Sequence, residues 1–195
     1  MDSFIQEIGP QYVVQVITDN VANYVVAGKL LMEKYQTLYW TPCATHCIHL
    51  MLEDMGKIPW IKEIVELARS VTKYIYNHTY VLTLMRQFTR NKKLVHPAIT
   101  HFATSFIALQ ALHNSMLELQ RMCLSDEWNA CVYSTKVDGQ AIVELVRHDH
   151  SFWMEVQGLC GVSELLVKVL CLVDGEKPAM GYLYEAMDRA KEVIQ

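Results

Sequence analysis

Tyr12-Val13-Val14-Gln15-Val16-Ile17-Thr18-Asp19-Asn20 decides the fold. Of its first seven residues all but Gln15 are β-branched or aromatic, and nearly all are apolar. Such a run has no polar face to show to water, so it predicts a strand over 12–18 covered on both faces, as in a parallel sheet. Asp19-Asn20 ends it. Helical spacing follows over 21–34, with Val21, Tyr24, Val25, Gly28, Leu31, Met32 and Tyr35 along one stripe. Thr37-Leu38-Tyr39-Trp40-Thr41 predicts a second strand. Pro42 has no N–H to donate and suits the first turn of a helix expected over Cys43–Met55, with Gly56 as its stop. The order β-α-β-α is that of an α/β unit with parallel strands and a right-handed crossover. Two strands are too few for a stable sheet. Either helices cover its edges or further strands complete it.

From Pro59 the pattern is helix after helix. Trp60, Ile61, Ile64, Ala68, Val71 and Ile75 share one face. Tyr80–Thr89 predicts a second helix, Arg90-Asn91-Lys92-Lys93 its end, and Thr100–Met122 one long helix. Ser125-Asp126-Glu127-Trp128 reads as a capped helix start. Lys136-Val137-Asp138-Gly139-Gln140 reads as a turn, followed by helices at 140–146, 151–157 and 162–173. Asp174-Gly175-Glu176-Lys177-Pro178 breaks the chain before a closing helix over 180–195. The expected fold class is α/β but helix-dominated, with a βαβα piece at 1–56 and an all-helical region at 57–195.

The 195 residues suit one domain of ordinary size. With 52% hydrophobic and 19% charged residues the chain is not disordered. The balance of 17 basic to 21 acidic residues, a net charge of −4, argues against a compact nucleic-acid-binding module. Six cysteines contain no C-x2-C pair, so they read as reduced thiols, mostly buried. No uninterrupted apolar run reaches the roughly 18 residues of a membrane helix. The nearest, Val162–Val173, is interrupted by Glu164 and Lys168. The start of the chain lacks the pattern of a signal peptide. An intracellular protein with no membrane partner is expected.

Asp19 is the sharpest candidate for chemistry. It follows a strand, where open α/β sheets place their ligands, and a carboxylate there suits Mg2+. Asp19 equally suits capping the helix that follows. Cys43, His46, Cys47 and His49 cluster on a helix start, but adjacent His46 and Cys47 fit one tetrahedral ion poorly. Arg86, Arg90, Lys92 and Lys93 fall within eight residues and could contact phosphates, or form a solvated helix end. Phosphate loops, dinucleotide-binding glycines, nucleophile elbows and H-E-x-x-H are all absent from the sequence.

Val16-Ile17-Thr18-Asp19-Asn20-Val21-Ala22-Asn23-Tyr24 and Tyr39-Trp40-Thr41-Pro42-Cys43-Ala44-Thr45-His46-Cys47-Ile48-His49-Leu50 resemble plant hAT-superfamily transposases. So do Trp60-Ile61-Lys62-Glu63, Ile75-Tyr76-Asn77-His78, Phe102-Ala103-Thr104-Ser105-Phe106, Asp126-Glu127-Trp128 and Lys177-Pro178-Ala179-Met180-Gly181-Tyr182. The resemblance implies a partial RNase H-like core followed by a helical insertion. It implies a nuclear, DNA-handling ancestry and an Asp-Asp-Glu triad holding Mg or Mn. Asp19 falls on the second acid, and Cys43 and His46 on a C-x2-H motif near bound DNA. The first acid would belong to a strand before Met1, and the zinc-binding finger and dimerisation segment of the family have no counterpart in these residues. Near the third acid stand Val167 and Lys168, with Glu164 the closest carboxylate. His101 stands where relatives carry Arg, and His49 where the motif carries Asp or Asn. One acid of three cannot hold a two-metal site. The expectation is therefore a transposase-derived fragment without cleaving activity, needing no cofactor and able to form a homo-oligomer. The alternatives are a helical interaction module, or an active nuclease completed by another chain.

Overall fold

The computed structural model describes residues 1–95, 102–175 and 180–194. His101 and Glu176-Lys177-Pro178-Ala179 lie outside them. The chain is 78% helical, with eleven helices and a two-stranded parallel sheet among the described residues. It divides into two compact units, Met1–Met51 and Leu52–Gln195.

The first unit begins with α1 (Asp2–Ile8). Gly9 then turns the chain at φ 98°, and Pro10, its φ fixed by its ring, starts a 3-10 turn over Pro10–Tyr12. That turn consumes the start of the predicted strand, so β1 is Gln15–Thr18 rather than 12–18. Helix α2 (Ala22–Lys34) connects it to β2 (Tyr39–Pro42). The strands pair parallel, with Gln15 opposite Tyr39 and Thr18 opposite Pro42. Pro42 thus ends a strand instead of opening a helix. Thr18 accepts from the amide of Cys43, the next residue, at 2.7 Å. The ring nitrogen of Pro42 faces the other side of β2, where the ladder needs no donor.

The core of this unit is Ile5, Leu31 and Leu38, with Val13, Val16 and Tyr35 packed against it. Gly28 of α2 meets the indole of Trp40, where a Cβ would overlap the ring. Trp40 Nε1 in turn donates to Thr18 Oγ1 at 2.9 Å, so helix and both strands are fastened at one place. Lys34 Nζ sits 2.8 Å from Asp2. Tyr35 donates its hydroxyl proton to Asp2 Oδ1 at 2.8 Å and accepts from Gln6 Nε2 at 2.7 Å. The Lys34 bond, then that of Tyr35, holds the Asp2 carboxyl below its ordinary range. A depressed carboxyl stabilises the fold above its ordinary pKa, and that contribution is lost as pH falls through the depressed value.

Helix α3 (Ala44–Lys57) runs across the boundary between the units and passes through Gly56, which is buried rather than a stop. The stop is Ile58, extended at ψ 126° because Pro59 follows and disfavours the helical region there. Pro59 opens α4 (Pro59–Asn77), whose buried face includes Ile61, Ile64, Ala68, Val71 and Ile75 as its periodicity predicts, whereas Trp60, expected on the same face, is exposed in the first turn. The bundle continues with α5 (Thr79–Phe88), α6 (Phe102–His113), α7 (Met116–Leu124), α8 (Asp126–Asn129), α9 (Val137–Arg147), α10 (His150–Val173) and α11 (Met180–Ile194).

Three expectations in this region are corrected. The predicted helix over 100–122 breaks at Asn114-Ser115, two residues whose side chains compete with helical hydrogen bonds. The predicted turn over 136–140 is the start of α9, and Gly139 serves close packing there. A Cβ would collide with the Tyr133 carbonyl oxygen and the Tyr74 hydroxyl. The helices predicted at 151–157 and 162–173 are one helix, α10, which Gly158 and Gly161 do not interrupt. This helix is long and apolar enough to cross a membrane by length and composition, although its second half alone is not. It packs on α4, α6 and α11 and buries Phe152, Trp153, Val156, Leu159, Leu166 and Val169. Trp128 is also buried.

The glycines differ in what a methyl group would meet. Gly139→Ala is expected to destabilise the protein by about 1–3 kcal/mol, because backbone must move to admit the methyl. Gly158, with open space around it, is expected to gain about 0.5–1 kcal/mol on replacement by Ala from helix propensity alone. Chemical denaturation of the two variants checks both signs.

Candidate functional site

The carboxyl ends of β1 and β2 carry Asp19 and Cys43. Asp19 directly follows Thr18, whose hydroxyl donates to the Asp19 carbonyl at 3.1 Å and accepts from Trp40. The amide of Cys43 reaches the Thr18 carbonyl, so the two candidates stand at the same end of the sheet. Asp19 and Asn20 are both exposed. The capping role is corrected: α2 starts after Val21, and no side chain caps it. Asp19 lies two residues too early. Side-chain caps occur instead at Ser125, which accepts from the Trp128 amide at 3.2 Å, and at Asp149, which accepts from the Phe152 amide at 2.8 Å. Bonds from Ser151 and the Phe152 amide hold the Asp149 carboxyl below its ordinary range.

His46 lies in the first turn of α3. The amide of Cys47 bonds to the Cys43 carbonyl at 3.0 Å, which puts the two cysteines on successive turns. Burial, and secondarily the neighbouring Cys43, pushes the Cys47 thiol up, away from the thiolate a soft metal would require. His49 is engaged in an interaction of its own. Among the described residues no group of three or more His, Cys, Asp or Glu is placed to hold a metal ion. Asp19 offers one carboxylate, and the donor set at the strand ends does not fit a divalent ion. Glu164, nearest in sequence to the third acid, forms an ion pair with Lys168 at 2.6 Å on α10.

Arg86, Arg90, Lys92 and Lys93 belong to the second unit and are all exposed. They are gathered by a left-handed turn, with Arg90 at φ 53° and Asn91 at φ 61°. The Asn91 amide returns to the Arg86 carbonyl at 2.8 Å, and the buried Thr89 hydroxyl donates to the Met85 carbonyl at 2.8 Å. Lys92 lies 3.9 Å from Glu118.

Sequence reasoning missed an aromatic cluster in the second unit. The Tyr74 and His78 rings lie 4.4 Å apart, and His78 and Tyr133 4.6 Å. The Tyr74 hydroxyl donates to the Tyr133 carbonyl at 3.1 Å, and the Lys136 ammonium lies 4.9 Å from the Tyr133 ring centre. Beside it an open groove of about 350 Å³ runs between α4 and α9, with Ser70, Lys73, Tyr74, His78, Asp138 and Ile142 in its walls. The i, i+4 spacing of Tyr74 and His78 was visible in the sequence, but their meeting with Tyr133 depends on the tight approach at Gly139.

A family model described as a domain of unknown function (DUF659) matches residues 1–71. That family is found in plant hAT-like transposase-related proteins. No curated protein and no solved structure matches the chain. The match covers all of the first unit and most of α4.

Two measurements separate position from role. Asp149→Ala is expected to cost about 0.5–2 kcal/mol through its lost cap, whereas Asp19→Ala should change stability by less than about 0.5 kcal/mol. Urea denaturation decides between them. Burial pushes the thiols of Cys123 up to about 12 and Cys160 up to about 11. Cys171, which is exposed, should therefore react first with a thiol reagent at mildly alkaline pH, and Cys123 and Cys160 only on unfolding.

Proposed function

We propose that this chain is a hAT transposase-derived protein without DNA-cleaving activity. The observation that carries the reading is the family match over residues 1–71, laid over a parallel βαβ unit with an acid at the end of its first strand. In this reading the first unit corresponds to part of an RNase H-like core and the second to a helical insertion. Asp19 descends from the second acid of a metal-binding triad. Cys43 and His46 descend from a C-x2-H motif that once faced DNA. The common placement of Asp19 and Cys43 supports that correspondence. A nuclear location and a plant origin follow from the same ancestry. Arg86, Arg90, Lys92 and Lys93 are the side chains best suited to retained phosphate contacts, since all four are exposed.

The chemistry of the donor set supports the loss of activity. Phosphoryl transfer by two metals needs several carboxylates converging on ions about 3.5–4 Å apart. Asp19 is the one acid that the resemblance places at these strand ends, and Lys168 stands near the position of the third. No catalytic step is therefore assigned to this chain alone.

Incubation of the purified protein with supercoiled plasmid and Mg2+ or Mn2+ tests the reading. The expected outcome is no nicking above the level of a heat-denatured control. Nicking that disappears in Asp19→Asn would establish an active nuclease and overturn the assignment of inactivity.

A further inference from the structure

The aromatic cluster of the second unit has an outward face. Tyr80, in the first turn of α5, and Tyr133, in a 3-10 turn over Val132–Thr135, hold their rings 23° from parallel with centroids 6.4 Å apart. Together with Ala130, Cys131, Val132 and Lys136 they line an open cup of about 470 Å³. Both rings are held in place. The Tyr80 hydroxyl donates to the Glu127 carbonyl at 3.3 Å on α8, a helix that buried Trp128 roots in the core. The Tyr133 carbonyl accepts from Tyr74 and meets Gly139, and the Tyr133 ring packs on His78. The Lys136 ammonium stands over that same ring. Among the described residues Lys136 is the one charged side chain in the walls, and Asp138 lines the groove of Tyr74 and His78 instead. The Tyr133 hydroxyl makes no hydrogen bond among the described residues. Tyr80 is 46% exposed and Val132 71%, so rigid aromatic and apolar surface stands open to water.

We propose that this cup docks a proline-rich segment of a partner protein, with an acidic residue beside its prolines. Proline rings pack on aromatic faces, and a polyproline segment arrives already extended, so little order is lost on binding. Such a segment makes no internal hydrogen bonds, which leaves its carbonyls free to accept from the Tyr133 hydroxyl. Lys136 is the charge complement of the acidic residue. The same features weigh against other occupants. Lys136 repels the methylated ammonium groups that aromatic cages take. A nucleic-acid strand is held by several cations along its backbone, and the walls of this cup offer one. A small ligand needs enclosure, whereas Tyr80 and Val132 stay exposed. All of the walls come from residues 80–136, within the second unit. The inference uses none of the residues assigned to the ancestral DNA site, and it does not depend on whether the chain cleaves DNA.

Titration calorimetry with the full chain tests it. The probe is a synthetic nonapeptide, three repeats of Pro-Pro-Asp. Saturable binding is expected with a Kd below about 1 mM. A Pro-Pro-Lys nonapeptide should bind roughly fivefold more weakly. Tyr80→Ala should weaken binding of the acidic peptide about tenfold. Lys136→Glu should reverse the preference, so that the Pro-Pro-Lys peptide binds more tightly, an outcome that unfolding does not produce. Tyr182→Ala, at an exposed tyrosine of α11 outside the cup, should leave binding unchanged. Far-UV circular dichroism verifies that the variants are folded. No saturable binding, binding that survives Tyr80→Ala, or a peptide preference that Lys136→Glu does not reverse would each overturn the proposal. So would binding of oligothymidylate that Tyr80→Ala abolishes, which would assign the cup to single-stranded nucleic acid.

Discussion

The seating of Trp40 against Gly28 is the contact on which the first unit depends. A helix can lie this close to a strand only where one partner has no side chain, and the indole fills the space a Cβ would occupy. The same indole donates to Thr18, so a single side chain sets the distance between helix and sheet and ties the ends of the two strands together. Everything of chemical interest in this unit follows from that fastening. Asp19 leaves β1 one residue after Thr18, and Cys43 leaves β2 through a bond to the Thr18 carbonyl. Their common placement is a consequence of how Trp40 packs, and it needs no ligand to hold it.

The two-unit texture of the molecule was legible in the sequence because it rests on periodicity. The 3.6-residue spacing of α4 singles out a helix, and the β-branched residues around 16, ended by Asp19-Asn20, favour a short strand. Punctuation was harder to read, because glycine and proline act through context. Gly9 and Pro10 shorten the first strand, although the residues after them favour extension. Gly56, Gly158 and Gly161 lie within helices that tertiary packing or length sustains. Gly139 marks a close approach to Tyr133, and nothing local in the sequence distinguishes that use from a turn.

The site was legible in place more than in role. Asp19 stands at the strand end the sequence assigns it, yet capping depends on which residue first turns helical. That residue is Ala22, which puts Asp19 out of register. Asp149 and Ser125 show the geometry that Asp19 lacks. Arg86, Arg90, Lys92 and Lys93 form a cluster because a left-handed turn reverses the chain between them. The sequence records their proximity but not its cause.

Helix α10 carries a consequence for synthesis. Its 24 residues have the length and composition of a bilayer-crossing segment, and a newly made chain presents them as such to any factor that samples apolar helices. The helices that receive its apolar face, α4 and α6, precede it in the chain, whereas α11 follows. Folding from the N-terminus thus builds an acceptor surface before α10 leaves the ribosome. The order of the elements along the chain gives this helix partners for its apolar face as it emerges.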